Sequence, residues 1–339
     1  MEPITIGDTV IEPGTRTTVQ IPIAYLYTRT PMDMPIHIIH GKKDGPKLFI
    51  SAAIHGDELN GVEIIRRLLL QKSIRNLRGT LIAIPIVNMF GLIQHSRYLP
   101  DRRDLNRSFP GSTKGALAAR LAHIFMETIV KTCDYGIDIH TGAIHRSNLP
   151  QIRAKLDDAE TEALAYAFGV PVIINSNVRD GSLREAAANN GVKTLLYEAG
   201  EALRFDELAI KAGVRGIVRV MRYLEMLKPS SRKKKVREPF VARSRYWVRA
   251  PHAGVIRDVK KLGDYISKGE LLGTISDPTD IFNQKEFPVN ADRGGIVIGK
   301  SNLPLVNEGD AIYHIAYFTD STEVAQELES FQQDFDISF

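Results

Sequence analysis

Apolar and polar positions change rhythm twice along this chain. Over residues 1–45 they alternate in places, as in Thr18-Val19-Gln20-Ile21 and Ile36-His37-Ile38, and Pro13, Pro22, Pro31 and Pro35 interrupt the run. Alternation broken by proline predicts short antiparallel or edge strands, because proline cannot donate to a ladder. From Lys47 the pattern becomes apolar runs separated by helical spacing. Residues 48–54 read as a buried strand, and Val62, Ile65, Leu68 and Leu69 make 59–70 an amphipathic helix. Further strands are expected at 80–87, 135–139, 170–174 and 192–197, and further helices at 116–130, 157–168 and 206–227. Such alternation predicts an α/β domain over residues 46–228, with a mostly parallel or mixed sheet covered by helices on both faces.

The second change follows Pro229-Ser230-Ser231 and the basic run Arg232 to Arg237, RKKKVR, which together mark a linker at 229–240. Residues 241–339 are short strands punctuated by glycine, with no helical pattern before Ser321. They contain an echo. Ala250-Pro251-His252-Ala253-Gly254-Val255-Ile256, followed by Gly263-Asp264, returns as Asn290-Ala291-Asp292-Arg293-Gly294-Gly295-Ile296-Val297, followed by Gly309-Asp310. Two copies predict two hairpin halves of a small C-terminal all-β barrel. This half resembles the barrel-sandwich modules of biotinyl and lipoyl carrier domains, but no lysine flanked by methionines sits at a hairpin tip; Lys285 lies in IFNQKEF. A swinging-arm role is therefore not expected. Gly294 to Ser301, GGIVIGKS, matches the phosphate-loop expression, yet Ile296, Val297 and Ile298 favour a strand and Asn302-Leu303-Pro304 follows instead of a helix. Phosphate cradling needs a flexible loop feeding a helix N-terminus, so nucleotide binding is not expected.

Composition narrows the class. The 339 residues are 43% hydrophobic and 25% charged, ordinary for a globular protein with a sizeable core. The longest apolar runs fall far short of the ~20 residues of a membrane span, and no secretory signal is visible at Met1. For the same reason the sequon at Asn106-Arg107-Ser108 is not expected to be glycosylated. Cys133 is the only cysteine, which excludes an intrachain disulfide and suggests a reducing, cytoplasmic location. A net charge of +4 is mild, and RKKKVR reads as a solvated linker, so neither nucleic acid nor membrane is expected as a partner.

Chemistry gathers at predicted strand ends. In Lys47 to Gly61, KLFISAAIHGDELNG, an apolar run stops at His55 and Glu58 follows three residues later. Open α/β sheets bind ligands at the carboxyl ends of their strands. A catalytic zinc takes three protein ligands and leaves one position open, and two histidines with a glutamate are one such set. His55 and Glu58 would supply two, and His140 in Asp138-Ile139-His140-Thr141-Gly142 the third, with Asp138 or Asp104 orienting an imidazole. A bare HxxE pair also occurs by chance, and a lone strand-end histidine is often only hydrogen-bonded; the second motif raises the metal reading. The loop 97–111 carries Arg97, Arg102, Arg103 and Arg107. Guanidinium forks suit an anionic substrate, against the plainer reading of a surface loop bridged to itself through Asp101 and Asp104. Glu198, in Leu195-Leu196-Tyr197-Glu198-Ala199-Gly200, follows a buried strand, where a carboxylate is costly unless solvated, paired or at work.

HGDE at 55–58, DLNR at 104–107, DIHTG at 138–142 and YEAG at 197–200 together resemble the succinylglutamate desuccinylase/aspartoacylase family, part of the zinc metallocarboxypeptidase superfamily. The resemblance covers roughly 47–227, and the trailing β module is also similar to one found in that family. It implies a zinc-carboxypeptidase-like fold. By resemblance, His55, Glu58 and His140 match the ligands of one zinc ion per chain, Glu198 the general acid/base, Asn106 with Arg107 the pair gripping a substrate carboxylate, and Asp104 an aspartate orienting the first histidine. The arginine polarising the scissile carbonyl is either Arg97 or Arg102, and Arg97-Tyr98-Leu99 is the better match. For the arginine that reads the acyl carboxylate, Arg184 in GSLRE is the candidate. The implied activity is zinc-assisted hydrolysis of a small anionic N-acyl amino acid. A peptide carboxypeptidase and a non-catalytic metal or small-molecule binder are the alternatives, and a homo-oligomer is open.

Overall fold

The computed structural model describes residues 1–176, 180–230, 239–242, 244–279, 282, 285–319 and 321–336. The basic run 232–237 lies outside the described residues. Four parallel strands form the centre of a mixed sheet, in the spatial order Lys193–Glu201, Tyr135–Gly142, Lys47–Ala52 and Thr80–Ile84. Each successive residue of a strand faces the opposite side. Leu48 and Ile50 accordingly enter one core with Ile64, Ile65 and Leu68 of the helix Asn60–Leu69, while Phe49 enters the other with Leu121 and Phe125 of the helix Leu117–Thr128. The helices Ala159–Phe168 and Glu207–Tyr223 complete the first face. A parallel sheet buried on both faces is what the continuous apolar runs predict.

Antiparallel strands extend the sheet at both sides. The N-terminal region forms two ten-residue strands, Arg16–Tyr25 and Pro31–His40, longer than the short strands its prolines predict. Pro31–His40 is also not an edge, since it pairs with Thr80–Ile84. Pro31 and Pro35 are tolerated because that pairing spans only His37 to His40, which leaves their missing N–H groups outside the ladder.

On the other side lies Arg146–Ala154, a strand that the sequence pattern does not announce because Pro150 sits within it; it is antiparallel to Lys193–Glu201. Gly295–Ser301 pairs with this strand, so the C-terminal β region continues the same sheet through Gly299, Lys300 and Ser301. GKS thus lies in a strand, and the phosphate-loop match is formal only. A four-stranded sheet that includes Gly254–Asp258 and Leu271–Ser276 packs over the strands Ser244–Arg249 and Ala311–Tyr317 around a separate apolar core. The internal echo is visible in the backbone. Gly254 and Gly295 have φ of 151° and 155°, and a Cβ on either would lie 2.4 Å from a carbonyl oxygen. Asp264 and Asp310 each accept a bond from the backbone N–H three residues before them, both at 2.8 Å. The terminal helix Ser321–Asp336 returns Phe331 and Phe335 to the core of the α/β domain. Among the described residues no helix is long and apolar enough to cross a membrane.

Candidate active site

The strand Lys47–Ala52 ends in a left-handed residue, Ala53 at φ 49°, and the chain then turns through His55 and Glu58 before the helix begins at Asn60. Glu58 therefore sits in the turn and does not open the helix. Gly56 is required there, since a Cβ on it would come within 1.9 Å of the Gly91 carbonyl carbon. Backbone strain next to a cluster of polar side chains is common at functional sites. His140 and Glu198 lie inside strands, not just after them: Tyr135–Gly142 runs two residues past His140, and Lys193–Glu201 three past Glu198. Pairing with Arg146–Ala154 carries Lys193–Glu201 through the Ala199-Gly200 break, with a register shift and Gly200 at φ 73°. The parallel register sets Glu198 directly opposite His140.

His55, Glu58 and His140 offer donor atoms that all lie within 4.8 Å of one another, and all three residues are buried. His55 Nδ1 is 2.7 Å from Glu58 Oε1, and His140 Nδ1 is 2.7 Å from Glu58 Oε2. The opposite ring nitrogens are held by aspartates: His55 Nε2 lies 3.0 Å from Asp104 Oδ1, and His140 Nε2 lies 2.6 Å from Asp138 Oδ2. Asp138 is fixed in turn by Ser51 Oγ, which donates at 2.8 Å across the parallel pair. Burial opposes the charged form of both imidazoles, yet the surrounding carboxylates outweigh it and raise both, His140 well above the ordinary value. Burial likewise opposes ionisation of Glu58, but the two histidines hold its carboxyl below the usual range. Two imidazole nitrogens and a carboxylate, each imidazole braced from behind, match the nitrogen and oxygen donors of a divalent-metal site.

Arg97 reaches this cluster, donating from Nη2 to Asp104 Oδ2 at 2.9 Å and from Nη1 to Glu58 Oε1 at 3.4 Å. Arg102 is exposed at a turn with φ 61° and is not among the residues lining the cavity. Asn106 Oδ1 accepts from the Leu183 N–H at 2.9 Å, and Phe109 N–H donates to Gly181 O, so the DLNR and GSLRE segments pack together. That packing brings Arg107 and Arg184 to the same cavity.

The cavity measures about 570 Å³, and besides two carboxylates, Glu58 and Glu198, six arginines line it. Glu198 is clamped from the strand Arg146–Ala154: Asn148 Nδ2 donates to Oε1 at 2.5 Å, and Arg153 Nε stands 2.7 Å from Oε2. Trp247 and His314 of the C-terminal β region form part of the wall, with Arg245. Arg146, Asn148, Arg153, Arg245, Trp247 and His314 carry no motif and escape sequence reasoning. The only available signal was that Trp247 is the sole tryptophan of the chain.

Fold and site together define a mixed α/β protein with a buried His-Glu-His cluster that could hold a metal ion, at the carboxyl ends of its parallel strands. The chain belongs to the succinylglutamate desuccinylase/aspartoacylase family: the model of that family's catalytic domain matches residues 44–224. It is similar to N-alpha-acetyl-L-2,4-diaminobutyric acid deacetylase of Halomonas elongata, 25% identical over 85% of this chain and 86% of the relative. The crystal structure of a succinylglutamate desuccinylase/aspartoacylase from Rhodobacter sphaeroides superposes with a TM-score of 0.78 at 24% identity, covering 90% of this chain and 95% of that one. The product-bound ectoine utilization protein EutE (DoeB) of Ruegeria pomeroyi gives 0.78 at 23% identity, over 89% and 94%.

Proposed function

We propose that the protein is a cytoplasmic, zinc-dependent amidohydrolase that cleaves the amide bond of a small anionic N-acyl amino acid. The carrying observation is that the His55–Glu58–His140 cluster and the Glu198 carboxylate open into one arginine-lined cavity. The name of the Halomonas relative supports N-acyl amino acids as the substrate class.

His55, Glu58 and His140 would hold one zinc ion, which when bound lowers the pKa of a water toward ~7 and polarises a carbonyl. Asp104 and Asp138 accept the Nε2 protons and so direct each Nδ1 lone pair inward, the tautomer a metal ligand needs. Glu198, held by Asn148 and Arg153, takes the proton of the attacking water and returns it to the departing amine. Arg97 turns its guanidinium toward the developing oxyanion, a contribution of about 3 to 4 kcal/mol per donor in a measured case. Asn106 and Arg107 grip the substrate carboxylate, as a guanidinium fork does.

The test is to load the purified protein with zinc and follow release of free amino acid from N-acetyl and N-succinyl amino acids and from short peptides. Release from N-acyl amino acids but not from peptides is expected. Hydrolysis of peptides alone would establish the carboxypeptidase alternative, and failure to retain zinc after reconstitution would overturn the reading.

A further inference from the structure

A general acid/base spends part of each cycle protonated, and the groups that hold Glu198 suit only its ionised form. Asn148 Nδ2 donates to Oε1, and Arg153 Nε stands against Oε2. Both partners present N–H groups, and a guanidinium has no acceptor at all. A carboxylate fits that clamp, whereas a carboxylic acid carries one O–H that must find an acceptor. The oxygen of the Asn148 carboxamide is turned away from Glu198. A Cβ placed on Gly299, paired with Asn148 on the far side of the strand Arg146–Ala154, would lie 2.7 Å from Asn148 Oδ1.

Gln151 supplies the missing acceptor. In the antiparallel pair it is directly opposite Glu198. Tyr197, Ala199 and Ile152, their neighbours in sequence, enter the helix-covered core, while Leu196 and Arg153 line the cavity, so the Glu198 and Gln151 side chains share the cavity face. Opposed residues of such a pair have Cβ atoms about 4.5 to 5.5 Å apart, within reach of two long side chains. Gln151 is 0% exposed, and among the described residues neither its Nε2 nor its Oε1 has a hydrogen-bond partner. On its other side it is paired with Val172, which belongs to an apolar core with Leu149, Ile298 and Phe318. A methionine or leucine would fill that place without an unsatisfied amide. Buried polar atoms without partners are rare in folded proteins, so one beside a glutamate that carries a proton calls for a role.

We propose that Gln151 is a positioning residue for the protonated state of Glu198, its Oε1 accepting the glutamic acid O–H between the two proton transfers. Such a role rests on the amidohydrolase reading and deepens it. As the water oxygen bonds to the carbonyl carbon, its proton moves to a Glu198 oxygen, which then donates to Gln151 Oε1 instead of facing the N–H groups of Asn148 and Arg153. The same proton passes to the amide nitrogen as the carbon–nitrogen bond breaks with its electron pair on nitrogen, and Glu198 returns to its clamp as a carboxylate. Gln151 is not among the residues lining the cavity, so it acts through Glu198 and not on the substrate.

The test compares an amide with its ester in Gln151→Met and Gln151→Leu. The amide is the N-acyl amino acid that the zinc-loaded parent hydrolyses best, and the ester carries the same acyl group on the matching 2-hydroxy acid. Both need Glu198 as base, but an amine departs only once protonated, whereas an alkoxide is a far better leaving group. In the variants kcat for the amide should fall at least about tenfold, a part of what a positioned proton carrier supplies. KM should change less than about twofold, and kcat for the ester less than about threefold, because binding and attack are left in place. Zinc content should be unchanged, and the urea midpoint equal or higher, since an unsatisfied amide has left the core. An unchanged amide rate, or equal losses on amide and ester, overturns the proposal and leaves the hydrolase reading intact. A lower urea midpoint in both variants, with amide and ester lost together, makes Gln151 a structural residue and overturns it as well. If the parent hydrolyses no N-acyl amino acid, the hydrolase reading fails and takes this role of Gln151 with it.

Discussion

His140 and His314 are both almost fully buried imidazoles lining one cavity, and their surroundings drive them in opposite directions. His140 has Glu58 on one nitrogen and Asp138 on the other, and its protonated form is favoured despite burial. His314 has an indole face, three guanidinium groups nearby and an unpartnered Nδ1. The same side chain is thus surrounded by carboxylates at one end of the cavity and by guanidinium groups at the other. Residue identity alone says little about role; the sign of the charges packed around it says more.

The contrast can be broken most severely at the catalytic end. Glu198→Gln should lower kcat about 10² to 10⁴-fold while zinc content stays unchanged, measured by steady-state kinetics beside metal analysis. Unaltered turnover in that variant would remove Glu198 from the chemistry. Arg97→Met should cost about 10² to 10³-fold in kcat, whereas Arg102→Met, outside the cavity, should change it less than about threefold; the reverse order would exchange the two arginines. Asp138→Asn keeps the shape but weakens the brace behind His140, so competition with a chelator should show zinc affinity about 10 to 100-fold lower.

The smallest effect belongs to the guanidinium-rich end. An unfolded histidine takes up a proton below its ordinary pKa of about 6.5, and native His314 does so only near 3. Between those values the unfolded chain binds more protons, so His314 makes stability fall as pH falls, by at most about 1.4 kcal/mol per pH unit. Urea unfolding at pH 7 and pH 5 should show a shallower loss in His314→Gln than in the parent. An equal or steeper loss would mean that His314 is not held neutral.

Much of the candidate active site was legible in the chain. HGDE after an apolar run, DIHTG and YEAG each announce a polar group at the end of a buried strand, and the structure brings all of them together because parallel strands aim their carboxyl ends to one side. Helix positions followed from apolar spacing to within a few residues, as at Asn60–Leu69. The strand Arg146–Ala154 was not legible, because Pro150 argues against a strand unless the neighbouring ladder is known, and Asn148 and Arg153 were lost with it. The guanidinium-rich wall was invisible for a different reason. Trp247 meets His314 through antiparallel register, and Gly299 meets Asn148 where two regions of the chain share one sheet.

The sequence by itself determined the α/β order, the residue types of the candidate metal cluster and the glutamate beside them, since local periodicity and strand-end polarity are short-range properties. Only the tertiary structure decided which arginines face the cavity, that the C-terminal β region walls it, and that one buried histidine faces carboxylates and another guanidiniums. Those outcomes depend on register and on the charges brought near by distant strands, and no local pattern encodes them.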